Sequence, residues 1–225
     1  MLNPRLLPTA RLRSGGNPRA VATPPRLQAP NPWRGLRVGI LGGSFNPAHD
    51  GHRHISLQAL RRLRLDYVWW LVSPQNPLKS SDGMASFADR LDAAKTIARH
   101  PRILVTDLEQ QLGTRYTADT LPALARAFKT TRFTWLMGAD NLSQIRYWDR
   151  WPVIFHTMPV AVMARAPYSI RACSSLAATR FRRQRLGKGC FTSLAMAKPP
   201  AWIFVPIPLH STSATAIRSA QSHSE

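Results

Sequence analysis

Short apolar runs alternate with segments of helical period from Arg37 onward, and no other feature of the chain narrows its fold as much. Arg37–Leu41 (RVGIL) reads as a buried strand that runs into a Gly42-Gly43 loop. In His52–Leu65 the apolar residues Ile55, Leu57, Leu60, Leu63 and Leu65 fall near helical spacing. Strands are predicted at Tyr67–Val72, Arg102–Thr106, Phe133–Met137, Val160–Ala164 and Trp202–Val205. Helices are predicted at Ser86–Arg99, Asp119–Phe128 and Ala214–Ser222. This alternation is the mark of an α/β fold with a mainly parallel sheet. At 225 residues the chain can bury a proper core, and one domain is expected.

Residues 1–35 break the pattern. Seven prolines between Pro4 and Pro32 interrupt any helix or strand, and the first 36 residues carry six arginines and no acid. A disordered N-terminal extension over 1–35 is expected, with a catalytic domain over 36–222. The extension lacks the continuous apolar core of a signal peptide, and no run of 18 apolar residues offers a membrane span. Two cysteines, Cys173 and Cys190, are too few for a disulfide framework and suit a reducing compartment, so a cytoplasmic protein is expected. The formal net charge of +20 draws polyanions in general, whether nucleic acid, anionic lipid or nucleotide phosphate. The stretch Arg180–Lys188 (RFRRQRLGK) is expected to be a solvated helix face rather than a nucleic-acid contact.

In α/β folds ligands sit beyond the carboxyl ends of the strands, so the loops that follow strands carry the information. The first reads Gly42-Gly43-Ser44-Phe45-Asn46-Pro47-Ala48-His49-Asp50-Gly51-His52. Glycines after a buried strand let backbone N–H groups approach an anion. Histidines at i and i+3 then share one face of a helix start, where the dipole favours negative charge. Spacing alone leaves three readings open: a zinc site, two structural histidines, or a nucleotide-phosphate cradle. The loop is neither the dinucleotide fingerprint nor a P-loop.

The string GGSFNPAHDGH resembles the (H/T)xGH signature of the nucleotidyltransferase superfamily. Further segments, in the same order, resemble the bacterial nicotinate-nucleotide adenylyltransferases. Ser73-Pro74-Gln75-Asn76-Pro77-Leu78-Lys79 is similar to their PxxxPxK loop, and Tyr116-Thr117-Ala118-Asp119-Thr120 to their YTxDT segment. Gly138-Ala139-Asp140 with Trp148 and Trp151 is similar to their GxD…W…W stretch. Arg165-Ala166-Pro167-Tyr168 departs from an Arg-Pro-Gly-Tyr order, and Thr212-Ser213-Ala214-Thr215-Ala216-Ile217-Arg218 departs from ISSTxIR at Thr212 and Ala214.

The resemblance implies a Rossmann-like, doubly wound sheet flanked by helices. It implies adenylyl transfer from ATP to nicotinate mononucleotide, with pyrophosphate released, in NAD biosynthesis. His49, His52, Lys79 and Arg218 are then the catalytic candidates on the ATP phosphates. Gly42, Gly43, Ser44, Phe45, Gly138, Asp140, Ser213 and Thr215 are candidates for ATP binding. Tyr116, Thr117, Thr120 and Trp148 are candidates for the nicotinate side, and Trp151 is expected in the core. For Asp140 a helix N-cap is the competing role. Mg²⁺ is expected to arrive with ATP, with no metal ligands of the protein's own and no tightly bound organic cofactor. Two rivals stand beside this reading: another HxGH enzyme such as a pantetheine-phosphate adenylyltransferase, and a basic nucleic-acid-binding protein.

Overall fold

The computed structural model describes residues 25–27, 31–74, 84–164 and 169–208. Six strands form one sheet: β1 (Arg37–Gly43), β2 (Tyr67–Val72), β3 (Ile103–Thr106), β4 (Arg132–Gly138), β5 (Val160–Met163) and β6 (Trp202–Val205). Their order is β3-β2-β1-β4-β5-β6, and every pairing is parallel. The helices between them are α1 (Asp50–Arg62), α2 (Phe87–Ala98), α3 (Leu108–Gln111), α4 (Thr117–Ala127), α5 (Ala139–Gln144), α6 (Pro152–Thr157), α7 (Ser169–Cys173) and α8 (Leu176–Arg180). This is the Rossmann-like, doubly wound α/β architecture. The strand order reverses between β1 and β4, so the crevice at their carboxyl ends is the expected ligand site.

A parallel sheet covered on both faces explains the uninterrupted apolar run of β2. Tyr67, Trp69 and Leu71 enter one core with Leu121, Leu124, Phe155 and Phe181 from α4, α6 and the end of α8. Val68, Trp70 and Val72 enter the other with Ile55, Ala59 and Ala94 from α1 and α2.

Two expectations change here. The Gly42-Gly43 pair lies in β1, not in the loop after it: Gly42 pairs with Leu71 and Gly43 with Val72. A Cβ on Gly42 would stand 2.5 Å from the Trp135 ring, so packing against β4 requires this glycine. The second concerns the N-terminal stretch. Trp33 is 1% exposed, edge-on to Tyr67 and Trp69 at 5.1 and 4.9 Å between ring centroids. The folded unit therefore reaches back past residue 36.

The basic stretch is not one helix face. Arg180 closes α8, Arg182–Gln184 is a 3-10 turn, and another 3-10 segment opens at Lys188. Phe181 is buried against Phe155, while Arg180 and Arg185 lie over the rings of Trp151 and Trp202. Side chains that stack on aromatic rings hold the segment down. The other predicted elements match the observed ones to within three residues at their ends, the largest difference being the end of α1 at Arg62 rather than Leu65, with Ala214–Ser222 outside the described residues.

Candidate active site

β1 delivers the chain to Ser44 and Phe45 at the switch point. Phe45 has φ 47°, left-handed backbone unusual for a non-glycine residue, and its ring is buried, stacked on Trp70 at 5.0 Å. That turn lets the chain reverse into α1. His49 is the N-cap of α1, where Ser or Asp is usual. Its Nδ1 accepts from the Gly51 N–H at 3.1 Å, and His52 Nδ1 accepts from the His49 N–H at 3.3 Å. The two imidazoles form a reciprocal capping box, with ring centroids 3.9 Å apart.

This arrangement has a chemical consequence. A ring nitrogen that accepts a hydrogen bond carries no proton, so this geometry selects the Nε2–H tautomer of each ring. Each histidine is thereby set as an Nε2–H donor. Neither is poised as a general base, because the accepting nitrogen of each ring is engaged by backbone. Ser44 is 7% exposed, and its Oγ has no hydrogen-bond partner among the described residues. A buried hydroxyl in that state is uncommon and suits a ligand oxygen.

β4 runs beside β1, with Leu41 paired to Leu136, so Gly138 leaves the sheet next to Gly43. Gly138 is the N-cap of α5 and Asp140 lies in its first turn, so the N-cap role competing for Asp140 falls to Gly138 instead. Among the described residues no group of three His, Cys, Asp or Glu side chains stands together to hold a metal ion.

The acceptor candidates sit at the start of α4. Tyr116 is its N-cap residue and Thr117 its first helical residue. Thr120 is 1% exposed, and its hydroxyl bonds Glu109 Oε1, the Tyr116 carbonyl and Thr114 Oγ1 at 3.1, 3.1 and 2.8 Å. It shapes the turn from within, with its hydroxyl engaged by protein groups. Arg150 grips both Asp119 carboxylate oxygens at 2.9 and 2.8 Å and bonds Asp149 at 2.7 Å. That ion pair, with Arg150 Nη2 set between the two Asp119 oxygens, links the start of α4 to the segment carrying Trp148 and Trp151. Trp148 is half-buried against the core and Trp151 is buried in it. Lys79, Ser213, Thr215 and Arg218 lie outside the described residues.

Sequence reasoning missed two buried groups. Arg90 occupies the apolar stripe of α2 with Phe87, Leu91, Ala94 and Ala98, and Glu109 follows buried Leu108 in α3. A charged residue inside an apolar stripe was the available signal. Burial pushes the Glu109 carboxyl above the ordinary glutamate range, against the pull of hydrogen bonds from Ser73 and Thr120. The folded state therefore holds this proton to higher pH than the unfolded chain. Stability falls as pH rises from the unfolded glutamate pKa through the folded one, and is flat above. Glu109→Gln should flatten that part of a plot of unfolding free energy against pH, as read by urea titrations across the acid range.

Comparisons with known proteins identify the family. A model of the cytidylyltransferase-like family matches residues 40–220. A probable nicotinate-nucleotide adenylyltransferase of Parvibaculum lavamentivorans is 54% identical over 184 residues, 82% of this chain and 92% of the relative. One from Cereibacter sphaeroides is 53% identical over 182 residues, 81% of this chain and 96% of the relative. Among solved structures, the Plasmodium falciparum nicotinic acid mononucleotide adenylyltransferase complexed with NaAD superposes with a TM-score of 0.61 at 18% identity. It covers 82% of this chain and 83% of its own. Parallel sheet, switch-point crevice and paired histidines define a nucleotide-handling α/β protein. The chain belongs to the cytidylyltransferase-like family, within it to the nicotinate-nucleotide adenylyltransferases.

Proposed function

We propose that this chain joins ATP and nicotinate mononucleotide to give nicotinate adenine dinucleotide and pyrophosphate, as a step of NAD biosynthesis in the cytoplasm. An oxygen of the mononucleotide phosphate attacks the α-phosphorus of ATP, and the bond from that phosphorus to the bridging oxygen of pyrophosphate breaks. The attacking group is a phosphate monoester with a second pKa of about 6, largely a dianion at neutral pH. It needs no general base. The chain has to bring two anions into line and stabilise the charge that gathers on the α-phosphoryl and leaving groups.

The observation that carries the reading is the histidine pair, fixed as two Nε2–H donors at the start of α1. His52 and His49 donate to the ATP phosphates, His52 to the reacting one. The Ser44 hydroxyl and the Ser44 and Phe45 amides line the same crevice. Gly42 and Gly43 serve by letting β1 pack closely. Lys79, Arg218, Ser213 and Thr215 complete the phosphate contacts as point charge, bidentate guanidinium and hydroxyls. Gly138 and Asp140 take the ATP ribose side. Mg²⁺ supplies charge neutralisation on the triphosphate, and Asp140 suits an outer-sphere contact to its hydration shell. Tyr116 and Thr117 offer the helix N-terminus of α4 to the nicotinate carboxylate, with Trp148 beside the ring.

Pyrophosphate release with MgATP and, in parallel, nicotinate mononucleotide, nicotinamide mononucleotide or 4′-phosphopantetheine tests this. Strong preference for the nicotinate substrate is expected. Turnover only with another acceptor would keep adenylyl transfer and overturn the substrate.

A further inference from the structure

Arg90 is 2% exposed and donates to four carbonyls drawn from three places in the chain. Its Nη1 reaches Ser44 O at 2.6 Å and Ser73 O at 2.7 Å, its Nη2 reaches Pro74 O at 2.7 Å, and its Nε reaches Ala85 O at 3.1 Å. Ser44 follows β1, Ser73 and Pro74 follow β2, and Ala85 precedes α2. A planar fork with five donors suits this work, and no ammonium group could copy it. Ser73 continues the connection. Its N–H donates to Gly43 O at 2.9 Å, and its side chain is hydrogen-bonded to the Glu109 carboxyl. Glu109 accepts in turn from Thr120, whose one hydroxyl hydrogen is shared between Glu109 and the Tyr116 carbonyl.

We propose that Arg90 and Glu109 are positioning residues which, through Ser73, tie the loop after β1 to the turn before α4 as one unit. On the reading given above, the first holds ATP and the second holds the acceptor. In-line transfer loses rate steeply when the reacting groups are misplaced by about 1 Å. A tie of buried polar groups, each engaged at both ends, fixes the spacing between two loops that no strand pairing joins directly. Burial disfavours the Arg90 charge, and the four carbonyls that accept from it offset that cost.

The test asks whether damage at the acceptor end is felt at the ATP end. MgATP affinity is measured by calorimetry without any acceptor, for wild type, Thr120→Val, Glu109→Met, Arg90→Lys and the Arg90→Lys/Thr120→Val double variant. Each acceptor-end variant should weaken MgATP binding about threefold or more, although neither side chain faces the ATP loop. The double variant should be no weaker than its worse parent, because a tie broken once has little left to lose. Unchanged MgATP affinity in both Thr120→Val and Glu109→Met, with wild-type melting behaviour, overturns the tie. So do effects that multiply in the double variant. Failure of Arg90→Lys to fold leaves the two acceptor-end variants to decide. A wild type that binds MgATP but leaves nicotinate mononucleotide unused overturns the functional reading and not the tie. A wild type that fails to bind MgATP overturns both.

Discussion

His52→Ala should lower kcat about 10²- to 10³-fold, the usual cost of removing one preorganised donor from a developing oxyanion. The ring is held in place three ways. Its Nδ1 accepts the His49 N–H at 3.3 Å, its face lies 4.7 Å from the Phe45 ring, and Trp70 stands 5.9 Å away. The Nε2–H therefore points where backbone and packing direct it, with no reorganisation needed as charge develops. Alanine removes the donor and the helix cap together, so the melting temperature should also fall slightly, by the equivalent of about 1 kcal/mol. His52→Asn separates the two roles. Its side-chain oxygen can take over acceptance from the His49 N–H and restore stability, but it cannot reach as far as Nε2. Single-turnover pyrophosphate release and thermal melts on both variants check this. Asparagine rescue of kcat would mean that His52 acts only as a cap.

How much of this was legible in the sequence depends on the range of the forces involved. Strand positions came through because burial on both faces leaves six apolar residues in a row in Tyr67–Val72. The helix start that carries His49 and His52 came through because the two residues are only three apart, and that spacing puts them on one face of a helix start. What stayed hidden depends on contacts between distant segments. Gly42 reads as a loop glycine until Trp135, 93 positions away in sequence, is seen to fill the space a Cβ would need. Thr120 reads as a ligand contact until Glu109 and Thr114 claim its hydroxyl. Arg90 stands out in sequence only as a charge inside the apolar stripe of α2, and what it holds is hidden until Ser44, Ser73 and Pro74 converge on it. Short helices such as α5 and α6, six residues each, lack a full hydrophobic period and are set by the strands they follow or precede.

Trp33 makes the same point with the largest effect expected on stability. Nothing around it in sequence suggests order, since it sits between Pro32 and Arg34 at the end of a proline-rich stretch. In the fold it closes the amino-terminal end of the core. Its N–H donates to Asn31 Oδ1 at 3.0 Å, its carbonyl accepts from Thr131 Oγ1 at 3.1 Å, and its ring meets Tyr67 and Trp69 edge-on. Trp33→Ala removes a fully buried aromatic side chain and leaves a cavity, at a cost of about 3–5 kcal/mol. For a chain of this size, that lowers the melting temperature by roughly 6–20 °C. Trp33→Phe should lose markedly less. Tyr67 opens β2, whereas the site lies past Val72 at its other end, about 17–20 Å away along a six-residue strand. The turnover of folded Trp33→Ala, measured well below its melting point, should therefore stay near wild type. Equal loss of stability and turnover would mean that the cap is felt at the crevice, and a melting temperature within about 2 °C of wild type would mean that Trp33 contributes little to the core.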